Sequence, residues 1–200
     1  MTAFKEEILT RCIGTDEGEV TEYRRLGCEL IRNRSAKTAK LVQRGYAERV
    51  LRTFGMWDCK PCATPLDANS RLSKKDCPQV VGPALHRRYR SITGCLSYLV
   101  NMTRPDLAFA YSQLSKFVQY PGVVHLQAAE RVLQYVRGTY DQGINYFDPG
   151  DETKNKLIGW VDSDFGSDPD TRKSSDWLLD VSEWRSYFLE FVSTRRRDLK

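Results

Sequence analysis

Tyr89-Arg-Ser-Ile92-Thr-Gly-Cys-Leu96-Ser-Tyr-Leu99 decides how this chain folds, because its apolar residues step by three, four and three positions. An α-helix makes one turn every 3.6 residues, so such steps align on one side of it. The same steps recur in Leu107, Ala110, Leu114 and Phe117, and again in Leu126, Ala129, Leu133 and Val136. The sequence therefore predicts three successive helices, each with one narrow apolar seam. The breaks between them are short. Thr103 is expected to N-cap the second helix, with Pro105 in its first turn, and Pro121-Gly122 breaks the chain before the third. Helices of this length are marginal in isolation, so the three are expected to pack as a bundle or onto another domain.

Other patterns flank the seams. Residues 2–12 read as a short amphipathic helix with Phe4, Ile8 and Cys12 along one side. Thr21 to Ile31 reads as a strand, and Thr38 to Val42 as its hairpin partner across the turn-like Asn33–Ser35. A helix is expected over 43–54, with Tyr46, Ala47, Val50, Leu51 and Phe54 on one face and Arg44, Glu48, Arg49 and Arg52 on the other. Gly55 should end it as a C′ residue. Residues 55–84 carry Pro61, Pro65, Pro78 and Pro83, half of the chain's 8 prolines, and read as a linker. After Gly138 the period changes: Ile144, Tyr146 and the run Leu157–Val161 read as two strands joined by a polar turn over 148–156. The class is mixed α/β, of the α+β kind.

The chain is 40% hydrophobic and 28% charged, a globular composition. No apolar run approaches the ~18–20 residues of a membrane span. The N-terminus, MTAFKEEILT, lacks a signal-peptide pattern, so an intracellular setting, cytoplasmic or nuclear, is expected. Net charge is +5, a mild excess compatible with phosphate partners. Arginine clusters at Arg24-Arg25, at Arg87, Arg88 and Arg90, and at Arg195 to Arg197; a solvated basic face is the alternative reading of each. Of six cysteines, only Cys59 and Cys62 form a C-x-x-C. Zinc would need two more ligands, for which Cys77 and His86 are available at wide spacing. Pro61 and Pro65 place the pair in a loop rather than at the helix start that a redox motif uses. No glycine-rich phosphate loop and no small-molecule site is evident. His86 and His125 fall in helical settings, with His125 a packing or capping residue at the start of the third helix.

One segment carries candidate chemistry: Leu157-Ile-Gly-Trp-Val-Asp162-Ser-Asp164-Phe-Gly-Ser-Asp168-Pro-Asp170. Carboxylates at a strand end can hold hard cations through oxygen. Two such cations activate water and stabilise the leaving oxygen in phosphodiester cleavage. An EF-hand reading fails, because glycine falls at position five and Lys173 stands where the bidentate acid belongs. The alternative is an acidic turn whose aspartates bond backbone N–H groups.

Several strings carry a resemblance. They are Gln43-Arg-Gly-Tyr46 through Phe54-Gly-Met56, Cys59-Lys-Pro61 and Thr64-Pro-Leu-Asp67, then Tyr89 to Leu99 and Thr103-Arg-Pro-Asp-Leu-Ala-Phe-Ala110. Leu114-Ser-Lys-Phe117, Pro121, His125, Ala128-Ala129, Arg131-Val-Leu-Gln-Tyr-Val-Arg-Gly-Thr139 and Trp160-Val-Asp162-Ser-Asp164 follow in order. Together they resemble the Pol polyprotein of copia-type LTR retrotransposons, over about residues 4 to 175. The resemblance implies a layout: 1–66 as the end of a reverse transcriptase palm, 67–85 as linker, 86–140 as a thumb- or connection-like helical bundle, and 141–175 as the start of an RNase H domain. It implies Asp162 as the first metal-binding catalytic carboxylate, Mg²⁺ as the family's ion, and an RNA–DNA or primer–template duplex as its partner. Arg87, Arg88, Arg131 and Arg137 are the candidates for phosphate contacts on the bundle, with helix solubility as the alternative.

Departures from the family pattern qualify this. The polymerase aspartate pair is expected upstream of Met1, which then reads as an internal methionine. Glu22-Tyr-Arg-Arg-Leu-Gly27 is two residues longer than the family's run. No recognisable later RNase H carboxylate follows Ser175. Back-translated and advanced by one nucleotide, Asp176 to Arg196 permits a Gly-Gly turn and Ile-Ser-Trp, the family's continuation, so 176–200 reads as frameshifted and is expected to be disordered or improvised helix. The expected product is a catalytically incomplete fragment of a reverse transcriptase/RNase H polyprotein; the alternative is a basic helical module that binds nucleic acid or a protein without chemistry.

Overall fold

The computed structural model describes residues 22–25, 27–67, 71–147, 158–164, 170, 175–181 and 187–193. The helix expected over 2–12 lies outside them. Strands β1 (Glu22–Arg25), β2 (Cys28–Asn33) and β3 (Thr38–Val42) lead into helix α1 (Arg44–Thr53). Helices α2 (Pro83–Met102), α3 (Ala108–Ser115) and α4 (Val123–Gly138) follow, and then β4 (Gly143–Phe147), β5 (Ile158–Asp164), β6 (Ser175–Val181) and β7 (Tyr187–Ser193). Short 3₁₀ turns occupy Lys74–Asp76 and Pro105–Leu107. The fold is mixed helix and antiparallel sheet. No helix among the described residues is long and apolar enough to cross a membrane.

The helical seams bury as their spacing predicts. Tyr89, Ile92, Leu96 and Leu99 of α2 are all buried, as are Leu107, Ala110, Leu114 and Phe117 around α3. On α4 the stripe is rotated. Ala129, Val132, Leu133 and Val136 are buried with His125, whereas Leu126 is only partly so. Ala47, Val50 and Leu51 of α1 join the same core, with Tyr46 and Phe54 half-buried beside them. Gly55, at φ 70°, closes α1 in the left-handed region that a side chain resists. Between α2 and α3, the buried Tyr89 hydroxyl donates to the Leu114 carbonyl at 2.7 Å. Burial raises that phenol's pKa.

Three expectations are corrected. The strand expected over Thr21–Ile31 is two strands: a turn at Gly27 folds β1 back on β2, pairing Arg25 with Cys28. Thr103 does not N-cap a helix. Its amide caps the end of α2 by donating to the Leu99 carbonyl, and its hydroxyl donates to the Gln43 side chain at 2.9 Å. The two strands expected around Ile144 and Val161 both form, in different sheets. β4 pairs with β3 to complete the sheet β1-β2-β3-β4, and β5 pairs with β6 in the sheet β5-β6-β7. The tail expected to be disordered or helical instead contributes β6 and β7, which pair from Ser175–Ser193 to Val181–Tyr187.

Two polar joints fix the helices. At the first, Glu29 of β2 receives the Arg44 guanidinium through Nε at 2.8 Å and Nη2 at 2.6 Å, setting the start of α1 on the sheet. The second centres on Arg104, whose side chain is 2% exposed. Its Nε and Nη2 donate to the two oxygens of Asp106 at 2.9 and 2.8 Å. Its Nη1 and Nη2 donate to the Thr139 carbonyl at 2.9 Å and hydroxyl at 2.7 Å. Tyr135 closes the group with a hydroxyl bond to Asp106 at 3.1 Å, and its ring lies 5.7 Å from the guanidinium carbon. Burial first, and then the Asp106 charge, raise the Tyr135 pKa. Thr139 is the residue at which α4 ends, where carbonyls lack helical partners and favour a cation.

Gly122 begins α4 under a different constraint. A β-carbon there would stand 2.1 Å from the Asp76 carbonyl oxygen, so the Lys74–Asp76 turn packs directly on its backbone. Gly122 has no side chain to cap with. Its N–H instead donates to His125 Nδ1 at 2.9 Å, while the His125 ring stacks on Phe117 with centroids 4.0 Å apart.

Two outcomes follow from these contacts. Arg104→Lys keeps the charge but loses the planar fork, and should cost about 2 kcal/mol or more, read as a lower urea midpoint at unchanged slope. Gly122→Ala should cost about 1–3 kcal/mol by forcing the turn away from α4, and its thermal midpoint should fall accordingly.

Candidate nucleic-acid interface

Basic residues near the start of α2 are the place to look for phosphate contacts, because Pro83 opens that helix and Arg87, Arg88 and Arg90 follow within two turns. Successive residues turn by about 100° around a helix, so adjacent Arg87 and Arg88 face different surroundings, whereas Arg87 and Arg90, three apart, share a side.

Arg88 points inward. Its Nε donates to Glu130 Oε1 of α4 at 2.9 Å, and its Nη2 donates to the Phe54 carbonyl at 3.2 Å, with the Phe54 ring 5.6 Å from the guanidinium carbon. Arg137 also points inward. Its Nε donates to the Trp57 carbonyl and its guanidinium lies 4.5 Å from the Trp57 ring and 5.9 Å from that of Tyr140. Arg131 donates to the Thr64 hydroxyl at 3.2 Å, and its own carbonyl accepts the Cys62 thiol at 3.4 Å. Three of the four arginines expected on phosphate thus tie the segment 54–64 to α2 and α4.

Arg87 is different. It is exposed and, with Arg90 one turn on, lines an open cleft of 540 Å³ whose other described walls are Pro83, His86 and Ser91. Neither guanidinium has a hydrogen bond or ion pair among the described residues. His86 does: its Nε2 is 3.0 Å from the Val118 carbonyl. The structure therefore brings Arg87 together with Arg90, and separates both from Arg88, Arg131 and Arg137. Nothing in the sequence singles out Arg90 beyond its place in the cluster.

Asp162 stands within β5, opposite Trp177 of β6, and the strand continues through Asp164. Its carboxylate and Asp168 lie outside the described groups. Among the described residues no three His, Cys, Asp or Glu side chains converge to hold an ion. Nor do Cys59, Cys62, Cys77 and His86 come together: Cys62 bonds the Thr64 and Arg131 carbonyls, and His86 faces Val118. Burial raises the thiol pKa of both Cys59 and Cys77, which suits inert rather than reactive sulfur.

No family model matches the chain, and no solved structure does. Known proteins do. The chain is 39% identical over 157 residues to the retrovirus-related Pol polyprotein from transposon TNT 1-94 of Nicotiana tabacum, covering 77% of this chain and 12% of that one. It is 35% identical over 139 residues to the corresponding polyprotein from transposon RE1 of Arabidopsis thaliana, covering 70% and 9%. An uncharacterized mitochondrial protein of Arabidopsis thaliana is 34% identical over 137 residues, covering 68% of this chain and 53% of that one. The chain belongs to the copia-type retrovirus-related Pol polyproteins of transposons. It spans only 12% and 9% of the two long relatives' own lengths.

Proposed function

We propose that this chain is a piece of the reverse transcriptase and RNase H region of such a polyprotein, and that by itself it grips nucleic-acid duplex without polymerising or cleaving it. Residues 1–66 correspond in this reading to the end of the palm, 86–140 to a thumb-like bundle, and 141–175 to the opening of the RNase H domain. Asp162 corresponds to the first Mg²⁺ carboxylate of that domain. Two-metal chemistry needs several converging carboxylates, and a single one does not assemble it.

The observation that carries the binding role is the pair Arg87 and Arg90: two uncommitted guanidiniums one turn apart beside an open cleft. A guanidinium fork matches phosphate oxygens and releases counterions when it docks on them, so the contact is independent of base sequence and weakens with salt. Arg88, Arg131 and Arg137 instead hold the segment 54–64 against α2 and α4.

Binding of a labelled RNA–DNA hybrid, followed by anisotropy across a salt series, tests this. Affinity should fall linearly on a log–log salt plot, and the Arg87→Ala/Arg90→Ala double variant should make the slope shallower by about two, one per lost phosphate contact. A slope unchanged in the double variant removes the proposed site. Asp162→Asn should leave binding unaltered. Mg²⁺-dependent cleavage of the hybrid that Asp162→Asn abolishes would overturn the non-catalytic reading.

A further inference from the structure

The junction between the Lys74–Asp76 turn and the start of α4 contains a buried titratable group that the binding role does not use. His125 is 0% exposed. Its Nδ1 accepts the Gly122 N–H, so the neutral ring carries its proton on Nε2. That Nε2 is buried and meets no acceptor in hydrogen-bonding geometry, although the Ser73 backbone is near enough to favour the charged ring. One face of the imidazole is occupied by Phe117, at an interplanar angle of 17°. His125 also sits in the first turn of α4, among amides that repel a cation.

The turn is held against this ring from both sides. Gly122 abuts the Asp76 carbonyl. Asp170 accepts from the Ser73 hydroxyl at 2.7 Å and from the Lys74 amide at 2.8 Å. Among the described residues the charged groups facing the ring are Asp76 and Asp170. From the α3 side Phe117 brings an uncharged ring, and His86 of α2 is committed to the Val118 carbonyl.

We propose that His125 is an acid-operated clasp: neutral, it locks the Lys74–Asp76 turn onto the start of α4, and protonated, it releases the turn. A second proton on Nδ1 would face the Gly122 N–H, donor against donor, and break the bond that starts the helix. Opening the turn admits water to the charged ring. Burial lowers the His125 pKa from its usual value, outweighing the Ser73 backbone, Asp76 and Asp170, which act to raise it. A group whose pKa is depressed in the closed form leaves the junction fully closed above about 6.5 and loosens it as pH falls below that value.

The chain has 2 histidines, so their ring resonances are separable in an NMR titration of the whole protein. The His125 ring should titrate below the usual histidine value, and Gly122 amide exchange, corrected for its intrinsic pH dependence, should show opening that rises by up to tenfold per pH unit below about 6.5. His125→Asn keeps an acceptor for the Gly122 N–H and should abolish that rise, whereas His86→Asn should retain it. The same rise in His125→Asn, or a Gly122 amide whose opening in the unaltered protein is flat between pH 7.5 and 5, would overturn the proposal. So would a His125 ring that titrates at or above the usual histidine value, an outcome readable without any variant.

Discussion

A guanidinium removed from water must be met on nearly every N–H it carries, and Arg104 meets that demand with partners from three places at once. Asp106, two residues on, takes the fork; Thr139, at the end of α4, supplies a carbonyl and a hydroxyl; Tyr135 lays its ring nearby and bonds the same carboxylate. The buried charge is tolerable because the Asp106 carboxylate pairs with it at bidentate geometry and the Thr139 oxygens take its remaining N–H groups. Its geometry fixes the end of α2 against the end of α4. The start of β4 follows Thr139 by four residues, so the same joint sets where the last strand of the first sheet approaches β3. The apolar seams stick the helices together, but seams can slide, and a bidentate contact with a helix terminus resists sliding.

The opposite end of α4 is set by shape rather than charge. Gly122 permits the backbone of the Lys74–Asp76 turn to lie against it, and His125 turns back to satisfy its amide. Between the two ends, Arg88, Arg131 and Arg137 hold the proline-rich segment after α1 across α2 and α4. Two guanidiniums lie over the Trp57 ring there, Arg137 at 4.5 Å and Arg52 at 4.8 Å. A segment with no regular structure of its own is thereby built into the bundle surface. The same arrangement leaves Arg87 and Arg90 facing outward over their cleft.

Much of this was legible in the residues. The three helical seams, the β3 strand, the apolar face of α1 and its glycine stop all follow from local periodicity and backbone preference, which a linear sequence records directly. Family membership was legible too, because it rests on ordered strings such as Thr103-Arg-Pro-Asp106 and Trp160-Val-Asp162. The misreadings share a cause. Thr103 has the chemistry of an N-cap, but Gln43, sixty residues earlier, takes its hydroxyl. The run Thr21–Ile31 reads as one strand because β-formers recur along it, yet a turn at Gly27 pairs its two halves with each other.

By itself the sequence determined helices α1 to α4, strands β3, β4 and β5, the glycine stop and the family, since each is written in spacing, residue type or ordered strings. Only the tertiary structure decided what each arginine does. Arg87 and Arg88 are adjacent and chemically identical, and the sequence names no partner for either. A turn of about 100° around α2 sends one to Glu130 and the Phe54 carbonyl and leaves the other over an open cleft. A side chain's charge belongs to the sequence; whether that charge is spent inside the fold depends on partners tens of residues away.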